Sequence, residues 1–304
     1  MSVRKAVIPV AGRATRQLPA TWAFPKALMP VLDRDGLPKP VVHLLVAEAF
    51  SAGVEQVALV VSPGQAGPLR SYFRRFDPAL LRAVADAPAL CAISEELDRW
   101  GRRVHCIEQP TPEGFGHAVW CAKDWVGDGP FLLMLGDYVF VSNESRSCAR
   151  QLVDVFEKFR PAAVSGVFAC DAQTLPRVGV LRGRPIAGES GLYQVELIVE
   201  KPSLERARKD LLTPGLPPDL WLAHFGNHVF TADVMRELDV MVNNDVRERG
   251  EVQMTGAQER LRASGARYLA LHVNGRAYDA GIPAGWFAAQ QAFIGASAGR
   301  PGSG

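Results

Sequence analysis

Apolar residues recur along this chain in two alternating rhythms. Short unbroken runs of strand length, Lys5 to Val10, Val57 to Val61, Arg103 to Glu108 and Phe131 to Leu135, are separated by stretches with helical spacing. Such alternation predicts buried parallel strands joined by helical crossovers. Between the first two runs, Pro40 to Ala52 sets Val41, Leu44, Leu45, Glu48 and Ala49 at helical spacing, with Pro40 suited to a first turn and Gly53 to the stop. A further helical pattern runs from Ala118 to Val126.

The second half changes character. Strands are expected at Ala162 to Ala169, Arg177 to Leu181, Tyr193 to Val199, Trp221 to Phe230 and Arg267 to Val273, some of them antiparallel, and helices at Ser145 to Phe159, Thr231 to Met241, Glu251 to Ala263 and Pro283 to Phe293. The charged or proline-rich segments Asp77 to Arg102 and Pro202 to Pro218 read as insertions outside the core. A Gly/Ser/Ala-rich tail, 295–304, is expected to be mobile. The pattern predicts an α/β fold, with a Rossmann-like, mixed and mainly parallel central sheet flanked by helices.

Composition narrows the function classes. With 304 residues, 48% of them hydrophobic, the chain can bury a sizeable core. Its 34 basic and 32 acidic side chains leave a net charge of +2, which is no field for gripping nucleic acid. No run approaches the roughly 20 apolar residues of a membrane span, and the N-terminal segment meets Gly12 too soon to hold the apolar region of a signal peptide. Five cysteines, Cys91, Cys106, Cys121, Cys148 and Cys170, form no Cys-x-x-Cys pair, and their odd number fits a reducing cytoplasm.

Candidate chemistry begins where the first strand ends. Ala11 and Gly12 are small enough for a ligand to lie on the main chain, and Arg16 and Lys26 bring two cations to the same mouth, which suits a polyphosphate. The plain alternative is a surface loop with two solvent-facing basic residues. Downstream, Glu108-Gln-Pro-Thr-Pro-Glu-Gly-Phe-Gly-His-Ala118 leaves a strand and turns through prolines and glycines. Gln109 offers a donor and an acceptor, matching the N3–H and a carbonyl of uracil or thymine, while Gly114 and Gly116 leave room for a planar group. Gln109 can equally cap its loop, and His117 reads as an orienting residue.

Three carboxylates follow. Asp137 ends an apolar strand at the edge where open α/β sheets bind ligands, as a cation ligand or as a turn residue. Asp279, after another strand, can supply a second hard oxygen to magnesium. Glu200 and Lys201 precede Pro202 at a strand end, where adjacent side chains meet one ligand only if the strand bends and otherwise form a surface ion pair. His224 and His228, four apart on a strand, read as non-ligands.

Taken together, Pro-Val-Ala-Gly-Arg-Ala-Thr-Arg-x-Leu-Pro-Ala-Thr, then Pro-Lys-Ala-Leu-Met-Pro, resembles the opening signature of the sugar-1-phosphate nucleotidylyltransferases, most of all the bacterial glucose-1-phosphate uridylyltransferases. Gln109 with its Gly-x-Gly-His-Ala turn, Asp137, Val178-Gly179-Val180, Glu200-Lys201-Pro202, Gly226-Asn-His-Val-Phe230 and Asp279-Ala-Gly281 are similar to later family motifs in the family's order. The resemblance implies one nucleotidyltransferase domain, 1–294, of the nucleotide-diphospho-sugar transferase type, with a nucleotide-binding half, 1–140, and a sugar-binding half, 141–294.

It further implies transfer of a uridylyl group from UTP to glucose-1-phosphate or a related hexose-1-phosphate, with magnesium on Asp137 and Asp279. Arg16, Lys26, Asp137 and Lys201 would be catalytic; Ala11, Gly12, Gln109, Gly114 and Gly116 would hold the nucleotide; Gly179, Glu200, Lys201 and Asn227 would hold the sugar. Family members are commonly dimers or tetramers, so a homo-oligomer is expected. Ala14 replaces a family glycine, Ala27 and Gly256 replace acids, and Arg13 adds a cation. A noncatalytic sugar-nucleotide-binding homologue and a thymidylyltransferase using dTTP are the alternatives, whereas a dinucleotide-binding dehydrogenase fails for lack of Gly-x-Gly-x-x-Gly after the first strand.

Overall fold

Consecutive residues of the first strand point into two different cores: Ala6 and Ile8 into one, Val7 into the other. Met134 and Leu132 likewise part from Leu133 and Phe131. Unbroken apolar runs are what a sheet covered on both faces demands. In the computed structural model, which describes residues 2–12 and 14–298, these runs form neighbouring strands of one large sheet.

The strands are β1 (Lys5–Pro9), β2 (Pro30–Leu32), β3 (Pro38–Pro40), β4 (Gln56–Val61), β5 (Val104–Glu108), β6 (Phe131–Met134) and β7 (Tyr138–Ser142). They continue with β8 (Ala163–Cys170), β9 (Gly179–Pro185), β10 (Leu192–Glu200), β11 (Trp221–Phe230), β12 (Tyr268–His272) and β13 (Gly275–Asp279). Nine of them form one sheet in the order β5-β4-β1-β6-β11-β8-β12-β10-β9, so strands from both expected halves share it. The first four are parallel. Beyond β6 the pairing is antiparallel except between β8 and β12.

β11 holds the two regions together. Its second part pairs with β6, from Asn227 opposite Met134 to Phe230 opposite Phe131. Its first part pairs instead with β9, Leu222 opposite Leu181 and Ala223 opposite Val180. The change of partner falls between Ala223 and Asn227, and the register with β8 also shifts between His224 and His228.

Helix Val41–Ser51 packs on the first core and helices Asp233–Asn243 and Met254–Ala263 on the second. The two expected insertions prove to be structural. Helix Pro88–Gly101 buries Ser94, Leu97 and Trp100, a stripe at three-residue spacing masked in the sequence by the charges between them. Helix Leu204–Asp210 buries Ala207, whose carbonyl accepts from Trp221 Nε1 at 3.1 Å. The last helix, Pro283–Ala298, runs past its expected end, and residues 299–304 of the expected tail lie outside the described residues. No helix among the described residues is long and apolar enough to cross a membrane.

Candidate active site

Gly136 carries the chain from β6 to Asp137 directly over Pro9 of β1. A Cβ there would lie 2.0 Å from the Pro9 carbonyl oxygen, so only glycine allows this crossing. The crossing delivers Asp137 to the carboxyl ends of β1 and β6. Immediately afterwards β7 pairs antiparallel with β13, and its register sets Tyr138 opposite Asp279. This two-stranded ribbon, which the apolar pattern did not predict, brings the second carboxylate in. The built Cβ position of Gly281 lies 2.7 Å from Asp137 Oδ2 and 2.9 Å from Asp279 Oδ1, so the two carboxylates face each other across a glycine.

Two cations answer them. Lys26 Nζ, well shielded from solvent, sits 2.8 Å from Asp137 Oδ2, in space that the missing side chain of Gly12 leaves open. Arg16 spans both acids, at 3.9 Å from Asp137 and 3.7 Å from Asp279, yet remains 61% exposed. Burial, reinforced by the Asp137 charge, raises the Asp279 carboxyl above its ordinary range, and Arg16, the Gly281 N–H and Lys26 oppose the shift. Among the described residues no group of three or more metal-ligating side chains occurs. A hard cation here would take two protein carboxylates and complete its shell from water and substrate oxygens, the habit of magnesium.

These groups line one cleft of about 1040 Å³, with Ala11 and Gly12 on the same wall. That volume is at the upper end of the usual range for small-molecule sites, roughly 300–1000 Å³. Gln109 and Gly114 line a second side. The Gln109 amide nitrogen donates to Gly114 O at 3.1 Å and lies 3.0 Å from Nδ1 of buried His117. Its donor half is therefore engaged within the protein, and only Oε1 is left for a base, not both halves as expected. His117, stacked on Trp120, does orient this glutamine.

Gly179, Glu200 and Lys201 line the far side. Lys201 has φ 46°, a left-handed conformation that breaks the alternation of β10. Its N–H donates to Val178 O at 3.1 Å, and its Nζ lies 3.3 Å from Glu200 Oε1. This is the bend that two neighbouring side chains need in order to face one ligand.

Two expected residues are not brought to the cleft. Gly116 donates its N–H to Val252 O at 2.9 Å, and a Cβ there would meet that oxygen at 2.7 Å, so its smallness serves packing against residues 252–254 rather than a base. Asn227 is fully buried and, one step out of phase with His224 and His228, lies among positions such as Phe225 and Val229 that face the first core. Arg13 lies outside the described residues.

Other groups here escaped notice in the sequence. Arg177 and Arg249 add cations to the lining, and Thr255 and Gln258 join His224 and His228 deeper in it. Gln17, buried, donates to Ala280 O at 2.9 Å and so fixes the Arg16 loop to the Asp279 turn.

Comparison with known proteins places the chain in a family and matches its fold. The nucleotidyl transferase family model matches residues 5–293. The UTP–glucose-1-phosphate uridylyltransferase of Bacillus subtilis (strain 168) is 33% identical over 286 residues, covering 93% of this chain and 88% of that protein. Among solved structures, a UDP-glucose pyrophosphorylase complexed with UDP-glucose superposes with a TM-score of 0.76 at 25% identity, over 96% of this chain and 99% of the other. The UTP-bound enzyme from Acinetobacter baumannii gives 0.77 at 27% identity, over 96% and 93%.

Proposed function

This chain belongs to the nucleotidyl transferase family, and on that premise we propose that it transfers a uridylyl group from UTP to glucose-1-phosphate or a closely related hexose-1-phosphate. The observation that carries the reading is the convergence of Asp137, Asp279, Arg16 and Lys26 at one edge of a cleft whose far side holds Glu200 and Lys201.

A phosphate oxygen of the hexose phosphate attacks the α-phosphorus of UTP, the bond from that phosphorus to the bridging oxygen breaks, and pyrophosphate leaves with the electron pair. Both reactants are polyanions, so alignment and charge placement carry most of the catalysis. Lys26 and Arg16 neutralise charge on the triphosphate side, with Arg16 on the departing pyrophosphate. Lys201 holds the attacking phosphate, and Glu200 accepts from sugar hydroxyls. Gln109 Oε1 accepts the N3–H of the base.

The paired carboxylates fit magnesium. Asp137 and Asp279 would hold it, and the ion when bound supplies Lewis-acid stabilisation of phosphoryl charge. Thymine presents the same N3–H as uracil, so Gln109 Oε1 alone admits dTTP as well.

The test is pyrophosphate release by the purified chain with UTP or dTTP, a panel of sugar-1-phosphates, and magnesium present or chelated. Magnesium-dependent release with formation of UDP-glucose is expected. Binding of UDP-sugars with no release from any pair would establish the noncatalytic alternative instead.

A further inference from the structure

Deep in the cleft, the imidazole of His224 is more than nine-tenths buried, and neither ring nitrogen has a hydrogen-bond partner. The Thr255 hydroxyl beside it is also buried without one. Its neighbour His228 is different. There Nδ1 lies 2.7 Å from Ser165 Oγ and 3.2 Å from Gln258 Nε2, and Ser165 Oγ is in turn 2.6 Å from the Tyr268 hydroxyl. That chain fixes His228, whose ring meets His224 edge-on at 5.0 Å.

Leaving a buried polar group unpaired is costly, and it persists where a ligand supplies the missing partner. The position of His224 says which part of a ligand. The built Cβ position of Gly179 lies 2.7 Å from His224 Cδ2, 2.9 Å from Thr255 Cγ2 and 3.2 Å from Glu200 Oε2, so all three side chains crowd one point of main chain.

Resting on the functional reading above, we propose that His224, assisted by Thr255, is a specificity-determining residue that reads a hexose hydroxyl not bound by Glu200. A neutral imidazole presents one donor and one acceptor, the complement of a hydroxyl, which also donates and accepts. Burial keeps it neutral by lowering its pKa to about 4. His224 lies on β11 between the stretch that pairs with β9 and the stretch that pairs with β6, and there it lines the cleft.

The experiment compares kcat/KM for glucose-1-phosphate with the 2-, 3-, 4- and 6-deoxy analogues in the wild type, His224→Phe, His224→Gln and Thr255→Val. The wild type is expected to reject by at least ~100-fold one analogue whose missing hydroxyl is not a Glu200 contact, since a site built to bind a hydroxyl leaves its polar groups unpaired without it. His224→Phe should collapse that ratio to a few-fold, leave the other ratios and the KM for UTP in place, and melt no lower than the wild type. Thr255→Val should reduce the same ratio, and His224→Gln should retain it.

An unchanged selectivity pattern in His224→Phe, or in Thr255→Val should His224→Phe not fold, overturns the assignment while leaving the uridylyl transfer intact. Absence of wild-type turnover with every hexose-1-phosphate removes both.

Discussion

The side-chain amide of Gln17 donates to the main-chain oxygen of Ala280 at 2.9 Å, joining two loops from opposite ends of the chain. Arg16 precedes the donor and Asp279 precedes the acceptor, so this buried bond sets the spacing of the cation and carboxylate that meet in the cleft. Gln17→Leu keeps the volume but orphans the Ala280 carbonyl. It is expected to cost about 1–3 kcal/mol of stability and to lower kcat more than the KM for either substrate. Thermal melts with steady-state kinetics check it; full activity in a destabilised variant would show that the bond serves the fold alone.

Arg16 and Lys26 both meet Asp137, but in different surroundings, and their removal should separate. Arg16 is mostly exposed and loosely paired, so Arg16→Ala should leave the melting temperature unchanged and reduce kcat by ~10²–10³, the usual effect of losing one preorganised electrostatic contact in the transition state. Lys26 is shielded and makes a 2.8 Å charged hydrogen bond. Lys26→Ala should therefore lower activity and also cost about 2 kcal/mol of stability, because the Asp137 carboxylate loses its close partner. Equal melting temperatures for the two variants would contradict this division.

How much of the site the sequence reveals depends on whether a residue is positioned by its own strand or by a distant one. Asp137 and Glu200 are legible because each sits at the end of an apolar run, and Lys26 because it falls in the Pro-Lys-Ala-Leu-Met-Pro motif after the first strand. The meeting of Asp137 with Asp279 is not, since it depends on the β7–β13 register, and β13, Gly-Arg-Ala-Tyr-Asp, carries no apolar run that would mark it as the partner of β7. The period-two alternation of β11 was legible, and applied to residues 224–228 it separates Asn227 from the two histidines. Gly116 reads as space for a ligand because sequence shows that a residue is small, not what fills the space; here it is the main chain of residues 252–254. Gln17 carries no pattern at all.

Ala14 bears on stability. It stands where the resembling family has glycine and adopts φ 50°, ψ 35°, the left-handed region in which a Cβ is strained. Its carbonyl accepts from Gln17 N and from the Thr21 hydroxyl, which holds the loop in that conformation. Ala14→Gly is expected to relieve about 1 kcal/mol, partly offset by the greater freedom of glycine in the unfolded chain. A rise of about 2 °C in melting temperature is the expected sign; a fall would mean that the strain is negligible beside that entropy.

A pH signature comes from the far side of the first core. Glu48, on helix Val41–Ser51, accepts the Ala149 N–H at 2.7 Å at the start of helix Cys148–Phe159. Burial raises its carboxyl from 4.5 to about 7, although these main-chain donors and the Arg34 charge pull it back. A carboxyl whose folded pKa lies above its unfolded value binds its proton more tightly in the native state. Its contribution is thus fully present below pH 4.5 and lost as the pH rises to about 7. Glu48→Gln preserves the acceptor without titrating. The variant should match the wild type near pH 4.5 and gain on it through neutrality, by up to about 3 kcal/mol, with no further gain at higher pH. Urea unfolding across that range measures the difference, and a gap that does not change with pH would place the cost of Glu48 in packing rather than in its charge.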